Sequence, residues 1–244
     1  MRLSSVFKIP RRIIRRLGYD VVRYSNRPNG ANARRLQALK DNRVDVVLDV
    51  GASVGDYANK LRESGYRGRI ISFEPLARSY QMLMAASSND GAWQAVHTAI
   101  GDRDGTASMN ESGRSTSSSI LQMAPSHVAA APDSVYVSHE QISIRRLDAI
   151  LGELVRPDDR LYLKLDVQGY EASVLAGATD TLKATRVVEV EVSMVSLYEG
   201  SMLYAEMIHF LDALGFHLIS WEDVFTDPRT GYVLQSDCIF ARPS

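Results

Sequence analysis

Two short stretches constrain this chain more than any others. Val44 to Gly55 reads V-D-V-V-L-D-V-G-A-S-V-G, and Ile70 to Pro75 reads I-I-S-F-E-P. The first is a β-branched apolar run ending in a glycine-bearing turn, the pattern of a buried parallel strand passing into a helix. The second is another apolar strand, and it ends in a carboxylate, Glu74. Together they form a βαβ unit of the kind that binds nucleosides beyond its strand ends, with the acid of the second strand placed for ribose hydroxyls.

The glycine spacing selects among nucleoside ligands. A dinucleotide site uses G-x-G-x-x-G so that the backbone and a helix N-terminus approach a pyrophosphate. Here the turn is Asp49-x-Gly51-x-x-x-Gly55, and an acid at the strand end opposes a diphosphate. It suits S-adenosylmethionine, whose ammonium and sulfonium are both positive. In this reading Asp49 orients the ammonium, Gly51 and Ala52 leave room for the ligand, Gly55 completes the turn and Glu74 takes the ribose hydroxyls. Asp102, in A-I-G-D after the third strand, is a candidate for the adenine amino group, with a simple turn beside Asp104-Gly105 as its alternative. An ordinary strand-turn-helix capped by Ser53 would share the glycines. Glu74-Pro75 is what separates the two readings.

The rest of the chain repeats the same alternation. Strands are expected at 45–50, 69–74, 93–98, 160–166, 186–193 and 216–221, with helices at 33–40, 54–64, 76–86, 170–183 and 203–214. The last apolar run, Gln235 to Ala241, closes the sheet as an antiparallel strand. The expected fold class is therefore α/β, a mostly parallel seven-stranded sheet with helices on both faces and ligand loops at the carboxyl ends of its strands. Gly101 to Ser119 is rich in Gly, Ser, Asp and Asn and is expected to form a short hairpin or mobile loop over the site. Ala124 to Pro132 reads as a further loop, followed by a strand at Gln141 to Ile144.

Polar residues inside the apolar strands mark candidate chemistry. In L-Y-L-K-L-D-V-Q-G-Y-E, from Leu161 to Glu171, period-two alternation puts Lys164 and Asp166 on one side and Leu163, Leu165 and Val167 on the other. Unpaired buried charge is costly, so partners are expected. Glu189 and Glu191 share a face of the next strand and supply them, giving a Lys164, Asp166, Glu189 and Glu191 cluster at the carboxyl edge of the sheet. Methyl transfer to oxygen needs in-line placement of a hydroxyl and a base for its proton. Asp166 is the first candidate for that base, Glu191 the second, and Lys164 the third catalytic candidate. As an alternative, Asp166 and Glu191 bind Mg2+, which would chelate vicinal hydroxyls. A closed salt-bridge network around Lys164 is the structural alternative. His97, His139, His209 and His217 are assigned no role, and His127, in a loop, is left open.

A net charge of -1 conceals a polarised chain. Residues 1–43 carry 12 Lys/Arg against two acids, and the remainder is correspondingly acidic. Pro10 to Gly18 reads as an amphipathic helix with Ile13, Ile14 and Leu17 on one face and arginines on the other. Such a segment lies on anionic lipid or packs on the domain edge, and residues 1–24 are the candidate for peripheral membrane contact. Nucleic acid is not expected as a partner, because the basic region lacks interleaved aromatics. The single cysteine, Cys238, forms no internal disulfide, and no apolar run approaches the length of a membrane span. The expected organisation is a basic extension over 1–43 and one catalytic domain over 44–244. The expected location is the cytoplasm, at or near the inner face of the membrane.

Taken together, D-V-G-A-S-V-G, F-E-P, A-I-G-D, L-K-L-D-V-Q-G-Y-E-A-S-V-L-x-G-A and E-V-E-V-S resemble the FkbM family of S-adenosylmethionine-dependent O-methyltransferases, from about Val44 to Ala241. The resemblance implies the Rossmann-like class I methyltransferase sheet and an acceptor hydroxyl on a sugar or polyketide-type metabolite. The family more often has Glu where this chain has Gln168, which removes a charge and a metal ligand there. The opening R-R-L-G-Y-D-V-V-R-Y is similar to actinobacterial members near cell-wall glycolipid gene sets. That implies a deoxysugar, such as rhamnose or fucose, on a lipid carrier. Two rival readings are a nicotinamide oxidoreductase, which the glycine spacing opposes, and a non-catalytic glycolipid-binding or adaptor protein on the same sheet.

Overall fold

The computed structural model describes residues 31–243; the basic helix expected at Pro10 to Gly18 lies outside them. Helix α1 (Ala31–Asp41) leads into β1 (Val46–Val50), followed by α2 (Asp56–Glu63), β2 (Arg69–Phe73), α3 (Ala77–Ser87) and β3 (Trp93–Val96). Then come β4 (Ala99–Ile100), β5 (Gly105–Ser112), the short helix α4 (Pro125–Ala130), β6 (Tyr136–Arg145) and α5 (Leu147–Leu154). The chain finishes with β7 (Leu161–Leu165), α6 (Glu171–Ala176), α7 (Thr179–Ala184), β8 (Thr185–Ser193), α8 (Tyr204–Ala213), β9 (His217–Thr226) and β10 (Val233–Ala241). Among the described residues no helix is long and apolar enough to cross a membrane.

Seven strands form one sheet in the order β3-β2-β1-β7-β8-β10-β9, and only β10 runs antiparallel to its neighbours. This is the parallel sheet expected from the alternation of elements, in the class I methyltransferase arrangement that the family resemblance implies. Every residue of β1 and of β7 is buried, because helices cover both faces. The chain turns outward from β1 to β2 and β3, then returns to place β7 on the other side of β1. That reversal opens a crevice beyond the carboxyl ends of β1, β2 and β7, where sheets of this kind take their ligands.

Register places a polar row across one face of this apolar sheet. Ser72 pairs with Asp49, Asp49 with Lys164, and Lys164 with Glu189, on four adjacent strands. Helix α1 covers the row and packs on the sheet through buried Ala38 and Leu39, so the folded unit begins before residue 44.

Three local expectations are corrected. The 101–119 segment is not a local hairpin: β5 pairs antiparallel with β6, which also pairs with β4, in a separate three-stranded sheet. The partner lies beyond an intervening helix and is held by the buried Ile142 and Ile144, a long-range contact that composition does not reveal. The single helix expected at 170–183 is two helices. A Cβ at Gly177 would lie 1.9 Å from the Gly101 carbonyl oxygen, so the chain breaks there to let the two backbones touch. The Asp148 carboxylate then accepts the Asp180 and Thr181 amides at 3.0 and 2.8 Å, opening α7. Finally, the expected loop at Ala124 to Pro132 contains α4, started by Pro125.

Candidate active site

Two cavities meet at the carboxyl edge of the sheet. The first is lined by Gly51 and Ser53 after β1, Glu74 and Leu76 after β2, Thr98 to Ile100, and Asp166 to Gln168 with Tyr170 after β7. Ser115, Thr116 and Ser118 close over it, so the serine-rich segment does reach the site. The second, of about 250 Å3, is lined by Asp166, Gln168, Glu191 and Gln235, and by Arg114, His127, Ser134 and Phe225. Thr116, Asp166 and Gln168 line both.

Glu74, expected to meet ribose hydroxyls, lines the first cavity. Its carboxylate accepts the Ser53 and Leu76 amides, each at 2.9 Å, at the edge of the first cavity. Burial pushes its pKa up to about 7, although both amides pull the other way. Gly51, at φ +82°, holds the β1 turn against β7. A Cβ there would stand 1.9 Å from the Asp166 carbonyl oxygen. The other proposed cofactor residues stand elsewhere. Asp49 is fully buried behind the wall and accepts the Ser72 hydroxyl at 2.9 Å, so it is not placed to clamp an ammonium. Ala52 is buried in the core and Gly55 packs at the start of α2 against Trp93, both outside the cavity wall. Asp102 is exposed, paired with Arg103 at 3.2 Å and outside the wall, where Thr98 to Ile100 stand instead. Of the wall residues after β3 and β7, Asp166 was expected and Thr98 to Ile100, Val167 and Tyr170 were missed, since mostly apolar side chains carry no sequence signal of ligand contact.

The expected four-member cluster divides into two. Lys164 lies 3.2 Å from Asp166 and 3.5 Å from Asp49, lining neither cavity. Burial lowers its pKa, but Asp166 and Asp49 outweigh that and hold it above the ordinary lysine value. Lys164 therefore steadies Asp166 from behind the wall and is not placed to touch a substrate. Glu189 is not its partner. Arg35 of α1 grips Glu189 with two guanidinium nitrogens, and the Tyr57 and Tyr162 hydroxyls donate to it at 2.6 and 2.5 Å. Burial pushes the Glu189 pKa up, and the Arg35 charge together with the hydrogen bonds from Arg35, Tyr162 and Tyr57 outweighs it and leaves the carboxyl below its usual value.

Asp166 and Glu191 face the second cavity with Gln168 between them. The Gln168 amide nitrogen donates to Asp166 at 2.8 Å and to Glu191 at 3.0 Å, and its carbonyl accepts the Tyr198 hydroxyl at 2.7 Å. Gln168 sits at φ +54°, a left-handed backbone for a non-glycine residue, which turns this amide into the site. An N–H donor thus occupies the place a cation would need between the carboxylates. No group of three or more His, Cys, Asp or Glu side chains among the described residues is arranged to hold a metal ion. The donor set does not fit the Mg2+ expected as an option. Burial, reinforced by the charges of Asp166 and Glu171, raises the Glu191 pKa well above the carboxylate range. Its Oε2 also accepts the Gln235 amide at 2.6 Å, so Glu191 is held inside the wall. Asp166, with its side chain 38% exposed, is the one open to a ligand.

The profile of the methyltransferase FkbM domain matches residues 49–218. Over 176 residues, 69% of this chain and 72% of the relative, the sequence is 25% identical to the 2-O-methyltransferase NoeI of Sinorhizobium fredii. Among solved structures, Aeropyrum pernix fibrillarin with bound S-adenosyl-L-methionine superposes with a TM-score of 0.47 at 14% identity, covering 85% of this chain and 74% of that one. Magnesium protoporphyrin IX methyltransferase of Synechocystis superposes with a TM-score of 0.47 at 11% identity, covering 95% and 90%.

Proposed function

The chain belongs to the FkbM methyltransferase family and is an S-adenosylmethionine-dependent methyltransferase; from that premise we propose that it methylates a sugar hydroxyl, on a deoxysugar such as rhamnose or fucose in a glycolipid. Family membership sets aside the nicotinamide and non-catalytic alternatives. The observation that carries the proposal is the shared wall: Thr116, Asp166 and Gln168 face both cavities, so a ligand in one meets a ligand in the other at Asp166. The name of the NoeI relative supports oxygen as the accepting atom.

Bound S-adenosylmethionine supplies a methyl group already activated by its sulfonium. Glu74 and Gly51 hold the nucleoside side of the first cavity. Asp166, oriented by Lys164 and Gln168, would accept the hydrogen bond of the acceptor hydroxyl and take its proton during methyl transfer.

The test is Asp166→Asn assayed on rhamnosyl and fucosyl lipids. Turnover is expected to fall by a factor of about 10² or more, with S-adenosylhomocysteine affinity within about twofold of wild type. Retained turnover, or a loss confined to cofactor binding, would overturn the assignment of Asp166. The same proposal places the lipid portion, or the inner membrane face, against the basic residues 1–24. Removing residues 1–18 is expected to weaken binding to anionic liposomes and to raise the KM of lipidated acceptors alone. Equal KM values on lipidated and soluble sugars would sink that role.

A further inference from the structure

The second cavity is chemically mixed: its lining includes the carboxyl groups of Asp166 and Glu191 and the donor-bearing side chains of Arg114 and His127. The His127 ring is held from several directions. Its helix is pinned by the Ala124 amide donating to the Leu197 carbonyl at 2.9 Å, its edge meets Tyr198 at 5.1 Å between ring centroids, and Phe225 lies at 5.6 Å. Only 3% of the residue is exposed.

The ring nitrogens are not equivalent. Nδ1 is buried and has no hydrogen-bond partner among the described residues. An orphaned N–H in that position would be costlier than an orphaned lone pair, since unpartnered buried N–H groups are the rarer of the two in folded proteins. The favoured neutral tautomer therefore leaves Nδ1 bare and puts the proton on Nε2, the nitrogen that the ring can offer to the cavity it lines. Burial and the neighbouring Arg114 charge lower the His127 pKa and keep the ring neutral. A neutral imidazole with its proton on Nε2 is a donor, not a base.

This complements Asp166. A hydroxyl that gives its proton to Asp166 needs nothing from His127, but a second oxygen on the same sugar ring, within the same cavity, needs a donor. The two groups are held together by one chain of contacts: His127 packs on Tyr198, Tyr198 donates to Gln168 at 2.7 Å, and Gln168 donates to Asp166 at 2.8 Å. We infer that His127 is a specificity-determining residue that donates a hydrogen bond to a second hydroxyl oxygen of the acceptor, and so selects which hydroxyl faces Asp166. This rests on the sugar-hydroxyl reading of the site.

The experiment compares wild type, His127→Leu and His127→Gln on methyl rhamnopyranoside, methyl fucopyranoside and their monodeoxy analogues, following S-adenosylhomocysteine release. For wild type, one analogue that keeps the methylated hydroxyl is expected to lose about 10- to 100-fold in kcat/KM. His127→Leu is expected to lose the same factor on the parent sugar, mainly in KM, and nothing further on that analogue. His127→Gln, which restores an N–H donor, recovers part of the loss. Unchanged S-adenosylhomocysteine affinity and melting temperature establish that the variants are folded, and the Gln variant carries the test if Leu is not. An equal loss on every glycoside, a loss in kcat alone, or no loss overturns the assignment of His127. Absence of wild-type turnover on all the glycosides, with S-adenosylhomocysteine still bound, overturns the sugar reading and this subsite together.

Discussion

Cofactor affinity should depend on the protonation of one carboxyl, Glu74. Its side chain lines the cofactor cavity and is only 5% exposed, and burial raises its pKa to about 7 in the free protein. Ribose hydroxyls donate to the carboxylate anion, so the protonated fraction is incompetent and the apparent Kd is the intrinsic Kd divided by the anionic fraction. At pH 8 nearly all of the protein is competent. At pH 5, two units below the pKa, about one molecule in a hundred is, which weakens binding about 100-fold, or about 2.7 kcal/mol. The sign follows from the direction of the shift. The raised pKa stabilises the free fold below the ordinary value of 4.5, and that contribution is lost as pH rises towards 7. Affinity for the cofactor is gained over the same window. Calorimetric titration with S-adenosylhomocysteine from pH 5 to 8 should give a slope of about one decade per pH unit below pH 6, flattening above pH 7.5. Glu171 and Asp237 also have pKa values raised to about 7, but neither lines this cavity. Glu74→Gln isolates the effect: its affinity should be about 10- to 100-fold weaker than wild type at pH 8 and nearly independent of pH. A wild-type Kd that changes less than about threefold from pH 5 to 8, or a Glu74→Gln variant that keeps the slope, would refute the assignment.

Other perturbations separate the site from its support. Lys164→Met leaves Asp49 buried without its cation and should cost about 3–5 kcal/mol in denaturant unfolding, with stability falling as pH rises because the Asp49 pKa is already raised by burial. Asp49→Asn with Lys164→Met should recover most of the loss; an additive double variant would mean that the pair is not coupled. Gly51→Ala places a methyl 1.9 Å from the Asp166 carbonyl oxygen at φ +82°, so β1 and β7 must separate. Melting temperature and S-adenosylhomocysteine binding should both fall, and an unchanged melting temperature would refute the close approach. Arg35→Met strands Glu189 and is expected to destabilise the fold by about 3–5 kcal/mol, with no change in KM for the acceptor in the protein that remains folded. A shift in acceptor KM would show that α1 bears on the second cavity.

The sequence by itself determined where the seven strands lie along the chain and that the last runs antiparallel, and three positions on the wall of the first cavity, Gly51, Glu74 and Asp166. Those properties follow from local rules. Buried parallel strands are continuous apolar runs, tight strand-to-helix turns favour glycine, and an acid at the end of the second strand falls at the crevice whatever surrounds it. Side-chain partnership follows no local rule. Period two correctly placed Lys164 and Asp166 on one side of β7, but β7 has two neighbours. Lys164 turned to Asp49 on β1, while Glu189 on β8 was taken by Arg35 from α1. Both carboxylates lie beside Lys164 in register, so only the packed helices decided which of them it would meet. The second sheet, the split after Gly177 and the place of His127 were illegible for the same reason. Each depends on what packs against a segment from far along the chain, and His127 entered the acceptor cavity only because Tyr198 and Phe225 hold its ring there.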